Sequence, residues 1–352
     1  MRKRAFISAG IAVLLLATGA KFNCIRAQFC STEQRALMDS TTNVIVCQGA
    51  GGSEQAFSQC AVTTPLDMFL ADKILMKMAP YSDRSIPQLM IMAANMLIGT
   101  PYVAGTLENE IDKRERLVIN LHQTDCIIFV ETCLNLALAV HYMKEGCTFK
   151  DFASFERASR YRNGFINNYC SRIHYTTEWI RQGVKYGNLE DVTMDLGGEA
   201  YNHPIFFMSC NYKRYKQLAA AGDSSANYSE REAAAKNLAE ISAVERELNK
   251  TPITYIPKNK VAACQGKIEN GDIICYMSGT PGLDIAHVTI AYVENGRVGF
   301  VHASMADMKV EVDKMTIAEY VNSRKSITGI KVIRPASQKY ISRELKSALN
   351  AK

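Results

Sequence analysis

One helix that begins at a cysteine constrains this chain more than any other stretch. From Cys126 onward, apolar residues recur at the three- and four-residue spacing of a helix: Ile127, Phe129, Val130, Cys133, Leu134, Ala137 and Leu138. Asp125 fits the N-cap position, because an aspartate side chain accepts hydrogen bonds from the unpaired N–H groups of a first helical turn. The stretch from 100 to 124 carries turn residues and charges instead. The pattern predicts a mostly buried helix with a thiol at its N-terminus.

This position is expected to change the pKa of the thiol. The unpaired N–H groups and the macrodipole of a helix favour an anion at its N-terminus. A thiol pKa of about 8.5 can fall toward neutrality in such a place. We therefore expect a lowered pKa for Cys126. The alternative is a buried structural cysteine, since free cysteine is among the most buried residue types.

The first 27 residues have the features of an export signal. Arg2, Lys3 and Arg4 form a charged region, an apolar run follows over 5–20, and Ala27 is a small residue at a cleavage position. The apolar run is short for a membrane span. We predict a cleaved signal peptide over residues 1–27, an exported protein that is periplasmic or secreted, and no stable membrane insertion after cleavage. A retained anchor and lipidation at Cys24 are the alternatives.

Composition narrows the remaining classes. A chain of 352 residues with 47% hydrophobic residues can bury a full core. The net charge of +6 comes without a basic stripe that alternates with aromatic residues, which argues against a nucleic-acid partner. Ten cysteines follow the signal, an even number that permits disulfides in an oxidising compartment. None of them forms a C-x-x-C pair, which argues against a zinc ribbon.

The middle of the chain divides into segments with different patterns. An N-terminal extension over 28–84 contains three cysteines and two helical pieces, at 32–39 and 66–78. A helix with proline in its first turn starts at Ser85 and ends at Gly99. Residues 150–215 are rich in aromatic and basic residues and are expected to form strands and loops, either as a surface for a polar ligand or as a hydrogen-bonded scaffold. A capping box at Ser229 begins a charged helix to Leu248.

The C-terminal third changes to a strand pattern. Stretches 271–276, 286–293 and 298–303 read as strands, 310–312 as a shorter one, and Asn295-Gly296 as a hairpin turn. Strand alternation puts His287 and Thr289 on one face of their strand. His302 returns at a similar distance from the hairpin tip, so the two histidines are expected to be neighbours.

A thiol at a helix N-terminus and a pair of histidines make a nucleophile and its bases. One imidazole takes the thiol proton and later passes it to a leaving amine, while the second orients the first and stabilises its charged form. The spacing alone leaves open whether the helix and the hairpin meet.

The ordered motifs resemble the NlpC-type branch of the papain-like cysteine peptidases and amidases. More closely, the chain resembles a family of N-acetylmuramoyl-L-alanine amidases within that superfamily. The resemblance spans about residues 85–335, and the order of its motifs makes it specific. These motifs are GTPYVAGTLE (99–108), LVINL (117–121), DCIIFVE (125–131), SRIHY (171–175), YIPK (255–258), GDII (271–274), LDIAHVTIAY (283–292) and HAS (302–304).

The resemblance implies an α+β, papain-like NlpC-type fold in which the cysteine helix packs on an antiparallel sheet. The catalytic domain would be 85–352 with an insertion at about 150–255, after a helical N-terminal extension. The activity implied is peptidoglycan hydrolysis on muropeptides, with no metal or cofactor. The residues implied are Cys126 as nucleophile, His287 as general base and acid, His302 as the orienting residue, and Tyr102, Asp125 and Arg172 as substrate-binding residues.

Three positions depart from the family pattern, and three alternatives stay open. Ile127 and Ile128 replace small polar residues and Thr289 replaces a glycine, so we expect them to border the cleft and alter substrate preference.

The triad of Cys126, His287 and His302 would also suit a γ-D-glutamyl-diaminopimelate endopeptidase. His122 and Cys126 would suit a zinc amidase, together with either histidine of the hairpin. A non-catalytic wall-binding protein is the third alternative. The oligomeric state is left open, with a monomer as one expectation.

Overall fold

An eight-stranded antiparallel sheet and a set of helices form the body of the protein. The computed structural model describes residues 13–15, 43–46, 61–107, 115–211, 228–336 and 338–351. The helices are α1 (Pro65–Met78), α2 (Ile86–Met96), α3 (Cys126–Met143), α4 (Phe149–Arg160), α5 (Thr176–Tyr186), α6 (Phe207–Asn211), α7 (Tyr228–Leu248), α8 (Val261–Cys264), α9 (Ile317–Ser323) and α10 (Arg343–Leu349). The strands are β1 (Val13–Leu15), β2 (Val44–Val46), β3 (Ala61–Thr63), β4 (Leu117–Val118), β5 (Leu189–Asp191), β6 (Glu199–Tyr201), β7 (Ile253–Pro257), β8 (Ile273–Ser278), β9 (Ile285–Glu294), β10 (Arg297–Ser304), β11 (Lys309–Val312) and β12 (Ile327–Pro335).

The order of the large sheet is β11-β10-β9-β8-β12-β7-β6, with β5 added beside β12. Its pairings are all antiparallel. Asn295 and Gly296 have φ of 50° and 78°, the left-handed values of a tight hairpin turn. The predicted α+β class with an antiparallel sheet and the predicted meander of β8 to β11 are therefore confirmed.

The cysteine helix α3 is the centre of the main core. It packs on β9 and β10 and lies between α2 and α4. Its apolar stripe is buried to 2% exposure or less at Phe129, Val130, Cys133 and Leu134. The segment Cys126–Gly146 is long and apolar enough to cross a bilayer, but 72% of that stretch is buried inside the protein. This burial is the property of a core helix in a folded domain.

The opposite face of the sheet carries a second core. Short helices α8 and α9 cover it, and the aromatic rings of Tyr276, Phe300 and Tyr320 pack there with centroids 5.0 to 6.1 Å apart. The two histidines of the hairpin extend this aromatic layer.

A small sheet, β1-β2-β3-β4, holds the N-terminal part of the described chain. Its first strand falls inside the predicted signal peptide, most of which lies outside the described residues, as do the predicted helix at 32–39 and three of the mature cysteines. The boundaries 1–27, 28–84 and 85–352 stay predictions. Seven cysteines lie in the described part of the chain, with no disulfide among them: Cys126, Cys133, Cys147, Cys170, Cys210, Cys264 and Cys275.

The expectation of strands and loops over 150–215 is wrong for much of that range, because α4 and α5 form there. Thr148 and Asp151 make a capping box that begins α4. Phe152 and Phe155 then face the core. Gly187, with φ of 75°, ends α5 in a left-handed C-cap. These caps were readable in the sequence, whereas the high density of aromatic and basic residues obscured the helical spacing.

A buried ion cluster joins α3, α4 and β4. The Arg160 guanidinium donates from Nε to Glu131 at 2.9 Å and also pairs with Glu156 and the Val118 carbonyl. All three charged side chains are at most 5% exposed. Burial raises the pKa of Glu156 to about 7. Since a buried charge is costly without its partner, this cluster depends on Arg160.

Replacing Arg160 is expected to destabilise the fold. Arg160→Leu leaves two buried carboxyl groups without their cation, so the free energy of unfolding should fall by about 3–5 kcal/mol in a urea titration. Lys260→Ala is the matched control, because its pair with Glu199 is about half exposed and such pairs contribute about 1 kcal/mol or less. Equal stability losses in the two variants would contradict a structural role for the cluster.

Candidate active site

The site is assembled by the segment Gly99–Tyr102, which lies beside strand β11. The Gly99 N–H donates to the Val310 carbonyl at 2.8 Å, and the Tyr102 N–H donates to the Met308 carbonyl at 2.9 Å. On its other side, the segment accepts from the Thr124 N–H through the Pro101 carbonyl at 3.0 Å. Since Thr124 precedes the N-cap of α3, these bonds fix the start of the cysteine helix against the edge of the histidine-bearing sheet.

Cys126 is the first residue of α3, as the sequence predicts. Asp125 is the N-cap, and its carboxylate accepts from the Ile128 N–H at 3.0 Å. The thiol of Cys126 is directed at its own N–H and those of Ile127 and Val288. Val288 follows His287 on β9. The backbone pairing of β9 with β10 runs from the hairpin turn only as far as Ile290 opposite Val301, so it does not include Val288. The thiol therefore interacts with the β9 backbone at the residue that follows His287.

The expectation of a lowered thiol pKa is wrong. Burial, and to a smaller extent the neighbouring Asp125, raise the pKa of Cys126 to about 12. The three N–H groups act in the opposite direction but are the smaller effect. Desolvation of the thiol, which disfavours its charged form, exceeds the helix-terminus effect at this partly exposed position. The resting site therefore holds a neutral thiol.

The two histidines meet, as the hairpin predicts. Nε2 of His287 lies 2.8 Å from Nδ1 of His302. Burial lowers the pKa of His287 to about 3 and that of His302 to about 4. Both rings are therefore neutral at pH 7, and each carries one proton on one of its two nitrogens.

Asp313 stands at the far side of His302, and sequence reasoning did not identify it. Its Oδ2 lies 3.3 Å from Nε2 of His302. The residue follows β11, and its own N–H donates to the Phe300 carbonyl at 2.9 Å. The sequence does contain a signal for Asp313. The short strand predicted after the HAS motif runs back beside His302, with Glu311 opposite the histidine, and Asp313 follows two residues later.

Tyr102 lies beside the nucleophile position. Its phenol is half-buried, and its pKa is raised by burial and by the proximity of Cys126 and Asp125. The raised pKa keeps the hydroxyl protonated, so it is available as a hydrogen-bond donor.

Residues 92–330 match the AmiA-like family, described as N-acetylmuramoyl-L-alanine amidase-like. The chain belongs to this family.

Solved structures support the same assignment. The chain is 34% identical to an N-acetylmuramoyl-L-alanine amidase from Bacteroides uniformis, with a TM-score of 0.61, covering 72% of this chain and 99% of that one. It is 35% identical to a Bacteroides fragilis protein named as a candidate xylanase, with a TM-score of 0.58 and coverage of 69% and 98%. A Legionella pneumophila protein at 21% identity and a TM-score of 0.58, covering 78% and 97%, shares the fold. The comparison with curated proteins gives no match.

Arg172, the third predicted substrate-binding residue of this AmiA-like protein, contacts the loop after Tyr102. It is 5% exposed, and its guanidinium donates to the Leu107 carbonyl at 3.1 Å and approaches Glu115 at 3.4 Å. It therefore braces the chain that follows Tyr102. Substrate binding by Arg172 stays a prediction. The contacts that the structure describes are with Leu107 and Glu115, so Arg172 would act on the site indirectly, through this loop.

Two of the three departures from the family pattern do not line a cleft. Ile128 is 2% exposed and Thr289 is fully buried, with its hydroxyl 3.5 Å from that of Tyr276. Both side chains were expected to border the cleft, and burial shows that this is wrong. Ile127 is half-buried at the first turn of α3 and stays a candidate.

His122 lies in a separate arrangement. Its Nδ1 is 2.7 Å from Asp67 of α1, whose carboxylate also accepts the Leu121 N–H at 2.7 Å. The ring is therefore committed to fixing the loop before α3. In the described part of the chain, no three His, Cys, Asp or Glu side chains are grouped closely enough to hold a metal ion, so the set of ligands that a zinc amidase would require of His122, Cys126 and the hairpin histidines is not formed.

The raised thiol pKa predicts slow alkylation at neutral pH. The rate at which iodoacetamide modifies Cys126 should keep rising through pH 9, since the thiolate is the nucleophile and its fraction grows toward a pKa of about 12. Mass spectrometry of the peptide containing Cys126 measures this rate, and the Cys126→Ser variant gives the background. A plateau below pH 7 would show a preformed thiolate instead.

Proposed function

We propose that this protein is an exported cysteine amidase of the NlpC type, which cleaves the amide bond between the lactyl group of N-acetylmuramic acid and L-alanine in muropeptides. The observation that carries the proposal is the 2.8 Å contact between His287 on β9 and His302 on β10. The residue that follows His287 on β9 is Val288, whose N–H interacts with the Cys126 thiol. Membership of an amidase-like family supports the bond type.

The neutral site favours attack with simultaneous proton transfer. His287 removes the thiol proton as Cys126 attacks the lactyl carbonyl, so no stable thiolate is required. The imidazolium that forms is stabilised through His302. This order of events suits a buried site, where burial opposes a resting ion pair.

Backbone and side-chain donors stabilise the tetrahedral intermediate. We assign the Cys126 N–H and the Tyr102 hydroxyl as these donors, and an oxyanion donor contributes about 3 kcal/mol in enzymes that pass through a tetrahedral intermediate. His287 then protonates the amine of L-alanine, the C–N bond breaks, and a thioester remains on Cys126. Water, deprotonated by the same ring, hydrolyses the thioester and restores the thiol.

Two other activities fit less well. A glycosidase, as the name of the Bacteroides fragilis relative suggests, uses two carboxyl groups around the scissile bond, whereas the groups proposed for catalysis in this site are a thiol and two imidazoles. A γ-D-glutamyl-diaminopimelate endopeptidase would use the same three groups. The relative from Bacteroides uniformis, named as an amidase and 34% identical, favours the lactyl bond.

Removing either the nucleophile or the base should abolish turnover. Cys126→Ala and His287→Ala are each expected to lower kcat/KM on a purified muropeptide by at least about 1,000-fold, because each takes part in bond breaking. Chromatography with mass analysis of the released tripeptide or tetrapeptide measures both rate and bond.

Cys210→Ser is the matched control, since it removes an exposed thiol from α6 and should leave the rate unchanged. Circular dichroism checks that each variant is folded. Near-normal turnover in folded Cys126→Ala would refute the cysteine mechanism. A product in which L-alanine and D-glutamate stay joined to N-acetylmuramic acid, released together with a fragment that begins at diaminopimelate, would point to the endopeptidase.

A further inference from the structure

His302 is held between its catalytic neighbour and an acid that the Cys-His-His mechanism does not use. Its Nδ1 lies 2.8 Å from His287, and its Nε2 lies 3.3 Å from Oδ2 of Asp313. The ring is 3% exposed. The contact with Asp313 has the distance of an ion pair and an angle outside that of a well-formed hydrogen bond. Both ring nitrogens thus face a polar group.

These contacts determine where the protons lie. An ionised carboxylate only accepts hydrogen bonds, so it favours the proton on Nε2 of His302. Nδ1 of His302 is then an acceptor, and Nε2 of His287 must carry the proton that it receives. Because a neutral imidazole carries one proton, Nδ1 of His287 is left bare and can accept the thiol proton of Cys126.

Asp313 is itself oriented by the backbone. Its Oδ1 accepts from the Met315 N–H at 2.7 Å, which leaves Oδ2 for the ring. The side chain is 17% exposed, so it is shielded from water on most sides. This arrangement distinguishes it from Asp307, which is exposed and acts on His302 only through its charge.

We propose that Asp313 is a positioning residue that fixes the tautomers of His302 and His287, so that Nδ1 of His287 is the base for Cys126. The inference rests on the proposed cysteine mechanism. No proton is transferred to Asp313; the proton from the thiol stays on His287 until it reaches the leaving amine. The carboxylate also stabilises the imidazolium through His302, opposing the nearby positive charge of Arg324.

An asparagine at this position should be worse than an alanine. In Asp313→Asn, the Met315 N–H retains the amide oxygen, so the NH2 group points at Nε2 of His302. This donor forces the proton to Nδ1 of His302 and, through it, to Nδ1 of His287, where it blocks the base. Asp313→Ala removes the preference without inverting it.

We expect kcat to fall about 100- to 1,000-fold in Asp313→Asn and about 10-fold in Asp313→Ala, with KM changed less than about threefold. The first loss is smaller than the roughly 10⁴-fold loss of a wrong-tautomer serine protease, because Asp313 acts on the base through a second ring. Asp307→Asn removes the same charge near the ring without the contact, and its kcat should change by less than about threefold. A kcat in Asp313→Asn equal to or above that of Asp313→Ala would overturn the inference.

Nitrogen-15 NMR of the histidine rings in the mature protein reads the tautomers directly. We expect Nε2–H on His287 and His302 in the unmodified protein and Nδ1–H on both in Asp313→Asn. A proton on Nδ1 of His302 in the unmodified protein overturns the inference without any variant. Active Cys126→Ala would overturn the proposed function instead, so the two failures are distinct.

Discussion

The segment Gly99–Tyr102 is the constraint on which the site depends. It bonds to the edge strand β11 through Val310 and Met308 on one side and to Thr124 on the other. The helix α3 and the histidine hairpin are separated by more than 140 residues of sequence, and they meet because this segment holds the helix N-terminus against the sheet. The GTPY motif therefore has a mechanical role besides supplying Tyr102.

Burial then decides the chemistry at the junction. The apolar surroundings that place the thiol against the Val288 N–H also raise its pKa and lower those of both histidines. In such an environment hydrogen-bond geometry matters more than resting charge at the thiol and the two imidazoles, since these three groups are neutral before substrate arrives. The direction of each proton consequently depends on contacts such as that of His287 with His302 and that of His302 with Asp313.

Local patterns in the sequence predicted a large part of this arrangement. The stripe after Cys126, the Asp125 cap and the Asn295-Gly296 turn gave the helix and the hairpin, because capping and turn chemistry act over a few residues. The thiol pKa was predicted with the wrong sign, since desolvation depends on which distant residues cover the helix. Asp313 and the sheet strand β12 were missed for the same reason: their significance comes from pairing with chain far away in sequence.

The most direct test of the cysteine mechanism is the mass of the protein itself during turnover. The unmodified enzyme, mixed with a muropeptide and quenched with acid within milliseconds to seconds, should carry an adduct on Cys126 equal to the N-acetylmuramoyl acyl group, which results from attack on the lactyl carbonyl. Cys126→Ala should carry none. Product release with no adduct on Cys126 at any time, together with turnover by Cys126→Ala, would contradict the account.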